Sequence, residues 1–305
     1  MKKILTTISL FTGVFLSAAF AADAKAISVT HSNGEVSIPA NPKRVVVLDY
    51  GTLDTLDTLG ASAQLALPKG NLPTYLAKFR GGEYVDIGGL REFNLETINA
   101  FKPEFIIIST RQQDYYKELS SIAPVYVVDT LNKDQVAEAK KNIMLMGEVF
   151  GVSEKAQSEW KKIEESIART KAKAQAGGKK ALVLLANDGK LSAYGSGSRF
   201  GIIHDGLSVL HADSKIKPGT HGQLVNFEYI AMTNPDIIFV VDRSAAIGTR
   251  AKGSKLLDNA LVARTTASKN NRIIMLDPEC WYLSGGGLQS LSKMISEIET
   301  AITEN

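Results

Sequence analysis

Two stretches of this chain repeat one another in register. NLETINAFKPEFIIIST, which begins at Asn94, and NFEYIAMTNPDIIFVVD, which begins at Asn226, align at an offset of 132 residues (226 − 94). Asn94 falls on Asn226, Glu96 on Glu228, Ile98 on Ile230, Pro103 on Pro235 and Glu104 on Asp236, and the same offset carries Arg111 onto Arg243. In each copy an Asn caps a short amphipathic helix, a Pro stops it, and a buried strand delivers an Arg at its C-terminal end. Ligands of open α/β sheets bind outside the carboxyl ends of the strands. The repeat therefore predicts two related lobes, each presenting one arginine to a shared cleft.

The rest of the chain fits that frame. Arg44–Leu48, Phe105–Ser109 and Val125–Val128 read as buried strands in the first half, and Ala181–Ala186, Ile237–Val241 and Arg272–Leu276 in the second. None alternates with polar residues, so each suits a strand covered on both faces of a parallel or mixed sheet flanked by helices. Between Lys133 and Ala176 there is no strand signal and no Pro. Val136, Ile143, Met146, Val149, Trp160, Ile163 and Ile167 recur there at helical spacing, broken near Gly151 and Ser153, with Ser153 as a candidate N-cap. The expected fold is α/β, with an N-terminal lobe over 22–132, a long helical connector over 133–177, a C-terminal lobe over 178–305 and a ligand cleft between the lobes.

Residues 1–21 read as a signal peptide. Lys2 and Lys3 precede an apolar run from Ile4 to Leu16, and Ala19-Phe20-Ala21 offers an A-x-A cleavage site. No Cys follows that site, so a lipid anchor is not expected, and the single Cys280 allows no internal disulfide. The expected location is the periplasm, and a monomer is the expected state. Formal charge is +3, or +1 once Lys2 and Lys3 are removed (3 − 2). The Lys-rich stretch Lys161–Lys180 alternates with Glu as a solvated helix face does. Nucleic acid is thus not an expected partner, and affinity for an anion has to come from a few placed arginines.

Those arginines are Arg111, Arg199 and Arg243, each near a strand end: Ser109-Thr110-Arg111, the loop GSGSRFG at 195–201, and Val241-Asp242-Arg243. Arg supplies a permanently charged planar fork of donors and stacks on aromatic rings. His221 lies between glycines in Pro218-Gly219-Thr220-His221-Gly222, a setting that suits a metal ligand or an acid–base group more than a core residue. Tyr282, in Pro278-Glu279-Cys280-Trp281-Tyr282, precedes Ser284-Gly285-Gly286-Gly287. On spacing alone Tyr282 reads as packing, and Cys280 as a small buried hydrophobe.

Other chemistries find little support. The 195–201 loop is not the dinucleotide fingerprint, and there is neither a P-loop nor a G-x-S-x-G elbow. A hydrolase using Ser284 or Ser198 is accordingly a remote alternative. His31, His204, His211 and His221 are scattered, and the 204/211 pair reads as one helix face.

Across the mature sequence the chain resembles the periplasmic ferric-siderophore-binding proteins of ABC importers, nearest to the catecholate-binding CeuE and VctP type. RVVVLDYGTLDTLDTLG, NLETINAFKPE, GSRFG, PGTHGQLVNFEYI and WYLSGGG carry the resemblance. It implies two α/β lobes joined by a rigid helix, no enzymatic activity and no intrinsic cofactor. It further implies an anion pocket lined by Arg111, Arg199 and Arg243, with His221 and Tyr282 as ligands to the iron of the bound Fe(III)-siderophore. Glu96 and Glu228, one per lobe, match the acids that dock such proteins onto the inner-membrane permease. A carrier of the same build for haem, cobalamin or a hydroxamate siderophore is the nearest alternative.

Overall fold

The computed structural model describes residues 26–131, 134–248 and 253–303; the candidate signal peptide lies outside the described residues. Strands β1 (Ala26–His31) and β2 (Gly34–Pro39) form an antiparallel hairpin. Five more, β3 (Arg44–Val47), β4 (Gln64–Leu67), β5 (Val85–Asp86), β6 (Phe105–Ser109) and β7 (Val125–Val128), make a parallel sheet of order β5-β4-β3-β6-β7. The second half contributes β8 (Lys180–Asn187), β9 (Lys190–Tyr194), β10 (Leu210–His211), β11 (Gln223–Val225), β12 (Ile237–Asp242) and β13 (Ile273–Leu276). Their sheet runs β11-β9-β8-β12-β13, with β10 beside the start of β8. It is parallel across β8, β12 and β13 and antiparallel on both sides of β9.

The helices that matter for the site are α1 (Tyr50–Leu59), α2 (Leu95–Phe101), α3 (Gln135–Val149), α4 (Ser153–Gly177), α5 (Phe227–Thr233) and α6 (Leu288–Thr303). The repeat is physical as well as textual. Asn94 Oδ1 accepts the Thr97 N–H at 2.8 Å and Asn226 Oδ1 the Tyr229 N–H at 2.9 Å, so each Asn caps its helix. Both helices end on a left-handed residue, Lys102 at φ 51° and Asn234 at φ 44°, and a Pro follows each. Glu104 then accepts the Lys43 N–H and Asp236 the Lys180 N–H, both at 2.8 Å, which fastens β6 and β12 to the parallel strand beside each. Every residue of β6 and β12 is buried, as expected for strands covered on both faces.

The connector is a pair of helices packed into both lobes. Ile143, Met146, Trp160 and Ile163 of α3 and α4 belong to one apolar cluster that also takes Tyr50 and Leu53 from the first lobe and Phe239, Ile295 and Ile298 from the second. Two smaller clusters, around Ile106 and Val240, cover the opposite faces of the two sheets. The helix pair therefore seals both lobes with a shared core. Ser153 is the first helical residue of α4 and not its cap; Val152 holds that position without a side-chain bond.

The lobes also meet through the glycine run. Asp54 of α1 is fully buried and accepts the N–H groups of Gln289 and Ser290, at 2.9 and 2.8 Å, at the start of α6. A carboxylate at a helix N-terminus satisfies donors that the helix cannot. A Cβ on Gly287 would stand 2.3 Å from Asp54 Oδ2 and 2.5 Å from the Gly51 carbonyl, so only glycine lets the two lobes approach this closely.

Candidate functional site

Strand ends from both lobes converge on one cavity of about 600 Å³, lined by Arg111, Arg199, Arg243, His221 and Tyr282 together. Arg111 lies in the short helical turn after β6, Arg243 directly follows β12, and Arg199 sits in the loop after β9. Tyr282 belongs to a π-helical turn, Glu279–Leu283, after β13. His221 occupies the turn just before β11, where it is exposed.

Tyr282 is the hub. Its carbonyl accepts Nη2 of Arg111 and, at 2.7 Å, Nη2 of Arg199, while the Leu283 carbonyl accepts Arg111 Nη1 at 3.1 Å. Its hydroxyl accepts Arg243 Nε at 2.8 Å, and Arg243 Nη1 reaches Asn187 Oδ1 at 2.9 Å. The Arg199 guanidinium also lies 4.2 Å from the centre of the Tyr282 ring, within cation–π range. One residue thus receives guanidinium donors from the first lobe and from the second.

The electrostatics favour an anion. Burial and, next, the charge of Arg111 lower Arg199 to about 10, and burial lowers Arg111 too, partly offset by nearby Asp49. Both guanidiniums stay charged at neutral pH, but they are half-buried and near each other, so a negatively charged guest offsets their mutual repulsion. Asp49 is itself buried, and that burial raises its acid against the lowering effect of the Thr52 N–H and Arg111.

Three residues of the site escaped the sequence reading. Arg91 lines the same cavity from a loop between β5 and α2, and acts on both Arg111 and Arg199 as a like charge. Buried Gln112 coordinates that loop with the Arg111 turn: its Nε2 donates to the Leu90 carbonyl at 2.6 Å, and its Oε1 accepts the Ser109 N–H at 3.0 Å. Gln135 of α3 does the equivalent for Arg199, donating to the Arg199 carbonyl at 2.7 Å and accepting the Ile202 N–H at 3.0 Å. An arginine in the Gly-Gly-Leu-Arg turn ahead of Asn94 was the available signal for Arg91. The two glutamines carry no signal without a fold.

The remaining candidates lie elsewhere. Glu96 and Glu228 stand exposed in the first turns of α2 and α5, outside the cavity. Ser284 Oγ donates to the Glu279 carbonyl and accepts the Tyr75 hydroxyl at 2.7 Å, and Ser198 donates to the Gly195 carbonyl, so both serines serve the backbone. His204 and His211 do not share a helix face: His204 caps a short 3₁₀ turn, His211 is in β10, and their rings stack at 3.7 Å. Cys280 is buried and free, with its thiol pushed up by that burial. Among the described residues no group of His, Cys, Asp and Glu is placed to hold a metal on its own.

Comparison with known proteins gives the family. Residues 45–280 match the model of the periplasmic binding protein family. The petrobactin-binding protein YclQ of Bacillus subtilis is 44% identical over 280 residues, which cover 90% of this chain and 88% of that one. Its crystal structure superposes with a TM-score of 0.88 at 42% identity, covering 92% of this chain and all (100%) of the other. The ferric-anguibactin-binding protein FatB of Vibrio anguillarum is 31% identical over 278 residues, 89% of this chain and 86% of that one. The catecholate-siderophore-binding protein VctP of Vibrio cholerae superposes with a TM-score of 0.84 at 28% identity, covering 90% of this chain and 100% of its own.

Proposed function

The chain belongs to the periplasmic binding protein family, and from that premise we propose that it captures a ferric catecholate siderophore outside the cytoplasm and delivers it to an ABC permease of the inner membrane. The observation that carries this reading is the convergence of Arg111, Arg199 and Arg243, drawn from both lobes, on Tyr282. Ferric catecholates are anionic, and their coordinated oxygens accept charge-assisted hydrogen bonds while their rings stack on guanidinium planes.

Two catecholates fill four of the six positions on Fe(III). His221 and Tyr282 would fill the other two, and Arg243 Nε keeps a charged donor beside an iron-bound phenolate. A tris-catecholate complex leaves no open position and would rely on the arginines alone. Glu96 and Glu228, one on each lobe, would meet basic residues of the permease. The lobes 22–132 and 178–305 on either side of the connector 133–177 suit limited closure, because a single core runs through all three. We further propose a monomer, released after cleavage at Ala21 and carrying no lipid.

Titrating the mature protein with a ferric bis-catecholate tests the reading. Trp281 adjoins Tyr282 and lines the cavity, so its fluorescence is expected to quench on binding. Failure to bind ferric catecholates, with tight binding of haem, cobalamin or a ferric hydroxamate, would replace the cargo and keep the carrier.

A further inference from the structure

The cavity has an apolar rim that the proposed iron chemistry does not use. Leu131 and Leu224 are 37% and 69% exposed, and both line the cavity. Leu131 comes from the first lobe, just after β7, where its N–H donates to Asp129 Oδ1 at 3.1 Å. Leu224 comes from the second, in the middle of β11. Neither joins any of the three apolar clusters of the fold.

The placement of Leu224 is set by strand geometry. β11 runs antiparallel to β9, with Leu224 opposite Ser192. Side chains two apart on a strand share a face, and Lys190, Ser192 and Tyr194 of β9 all line the cavity. Leu224 is thus the large aliphatic side chain on an otherwise polar ribbon, turned to the cleft and left in water. Single exposed leucines on a surface need no explanation. Two that line the same cavity from opposite lobes, together with a cluster of guanidiniums, call for one.

We propose that Leu131 and Leu224 form an apolar clamp that closes on the hydrocarbon of the ligand, so that the site selects ferric chelates with an aliphatic or aromatic periphery over all-polar chelates of equal charge. This rests on the ferric-catecholate reading and adds the part of the ligand that the arginines, His221 and Tyr282 do not address. The arginines read charge, and the leucines read what lies between the chelating groups. Burying the two side chains against hydrocarbon removes apolar surface from water at both ends of the contact, which favours such a ligand by about tenfold.

The test uses two ferric bis-catecholamides with the same chelating rings and the same charge. One has its rings joined by an alkane diamine, the other by an ether-interrupted chain of equal length. The wild-type protein is expected to bind the alkane-linked complex about tenfold more tightly. Leu131→Ser with Leu224→Ser is expected to remove that preference while leaving the ether-linked affinity within about twofold, and Leu224→Met is expected to retain it. Thermal unfolding of the double variant should match wild type, since neither side chain packs in a core. Equal affinity of the wild type for the two complexes, or an equal loss for both in the double variant, overturns the clamp. A wild type that binds neither complex overturns the catecholate reading itself.

Discussion

Replacing Gly287 by Ala tests how the two lobes are fixed to one another. The added methyl would lie 2.3 Å from Asp54 Oδ2 and 2.5 Å from the Gly51 carbonyl, distances that no Cβ sustains. Gly51 is backbone in α1 and Asp54 is fully buried, so relief requires α1 and α6 to move apart. Overpacking of this kind costs about 1–3 kcal/mol. Moving Asp54 also strands the N–H groups of Gln289 and Ser290, at about 1–3 kcal/mol for each buried donor left unpaired. The expected loss is therefore about 3 kcal/mol or more, read as a lowered midpoint in urea unfolding. Affinity for the ferric complex should fall with it, because Tyr282 lies just upstream of the displaced segment. Gly219→Ala is the control: its Cβ meets nothing within 4 Å, and stability should change by less than about 0.5 kcal/mol. A Gly287→Ala loss below about 1 kcal/mol would refute the claim that this contact sets the lobe alignment.

Three further outcomes follow from the same geometry. Arg243→Gln removes the donors to the Tyr282 hydroxyl and Asn187 and should weaken ferric bis-catecholate binding by at least about tenfold in a fluorescence titration, with little change in stability. Burial, helped by the charge of His211, lowers His204 to about 4, so the unfolded chain binds this proton more readily than the folded one; stability is present above about pH 6.5 and lost as pH falls toward 4. His204→Gln should flatten the melting temperature over that window, and an unchanged slope would count against the stacked pair as its source. Glu96→Ala with Glu228→Ala should abolish siderophore uptake in cells while leaving binding by the purified protein unchanged, and uptake at the wild-type rate would remove both acids from docking.

The parts of the fold legible in the sequence are those written locally. Asn94 and Asn226 cap their own helices, Glu104 and Asp236 precede their own strands, and the arginines follow within a few residues, so one repeat displayed helix, strand and strand end at once. The buried strands declared themselves because both faces are covered. Strands β9 and β11 did not, since β9 turns Lys190 and Ser192 to the cleft and mimics loop composition, and β11 is only three residues long. His204 and His211 misled because a spacing of seven also occurs across a turn and a strand, which bring the rings together without a helix. Contacts across the lobes were out of reach: Asp54 bonds to residues 235 and 236 positions away. Of the site itself, Arg111, Arg199, Arg243, His221 and Tyr282 were named from strand ends and resemblance, and the structure brings all five to one cavity. Arg91 was missed because it follows no strand end, and only its Gly-Gly-Leu-Arg turn ahead of the repeat marks it.

The central claim is that His221 and Tyr282 complete the coordination of iron held by two catecholates within an arginine pocket. The most direct measurement is the catecholate-to-iron charge-transfer band on titrating a ferric bis-catecholate into the wild type and into His221→Ala/Tyr282→Phe, with a ferric tris-catecholate run in parallel. The account predicts a band shift and tight binding in the wild type, loss of the shift and much weaker bis-catecholate binding in the double variant, and nearly unchanged tris-catecholate binding. An unshifted band in the wild type, or an equal loss of affinity for both complexes in the variant, would contradict direct ligation.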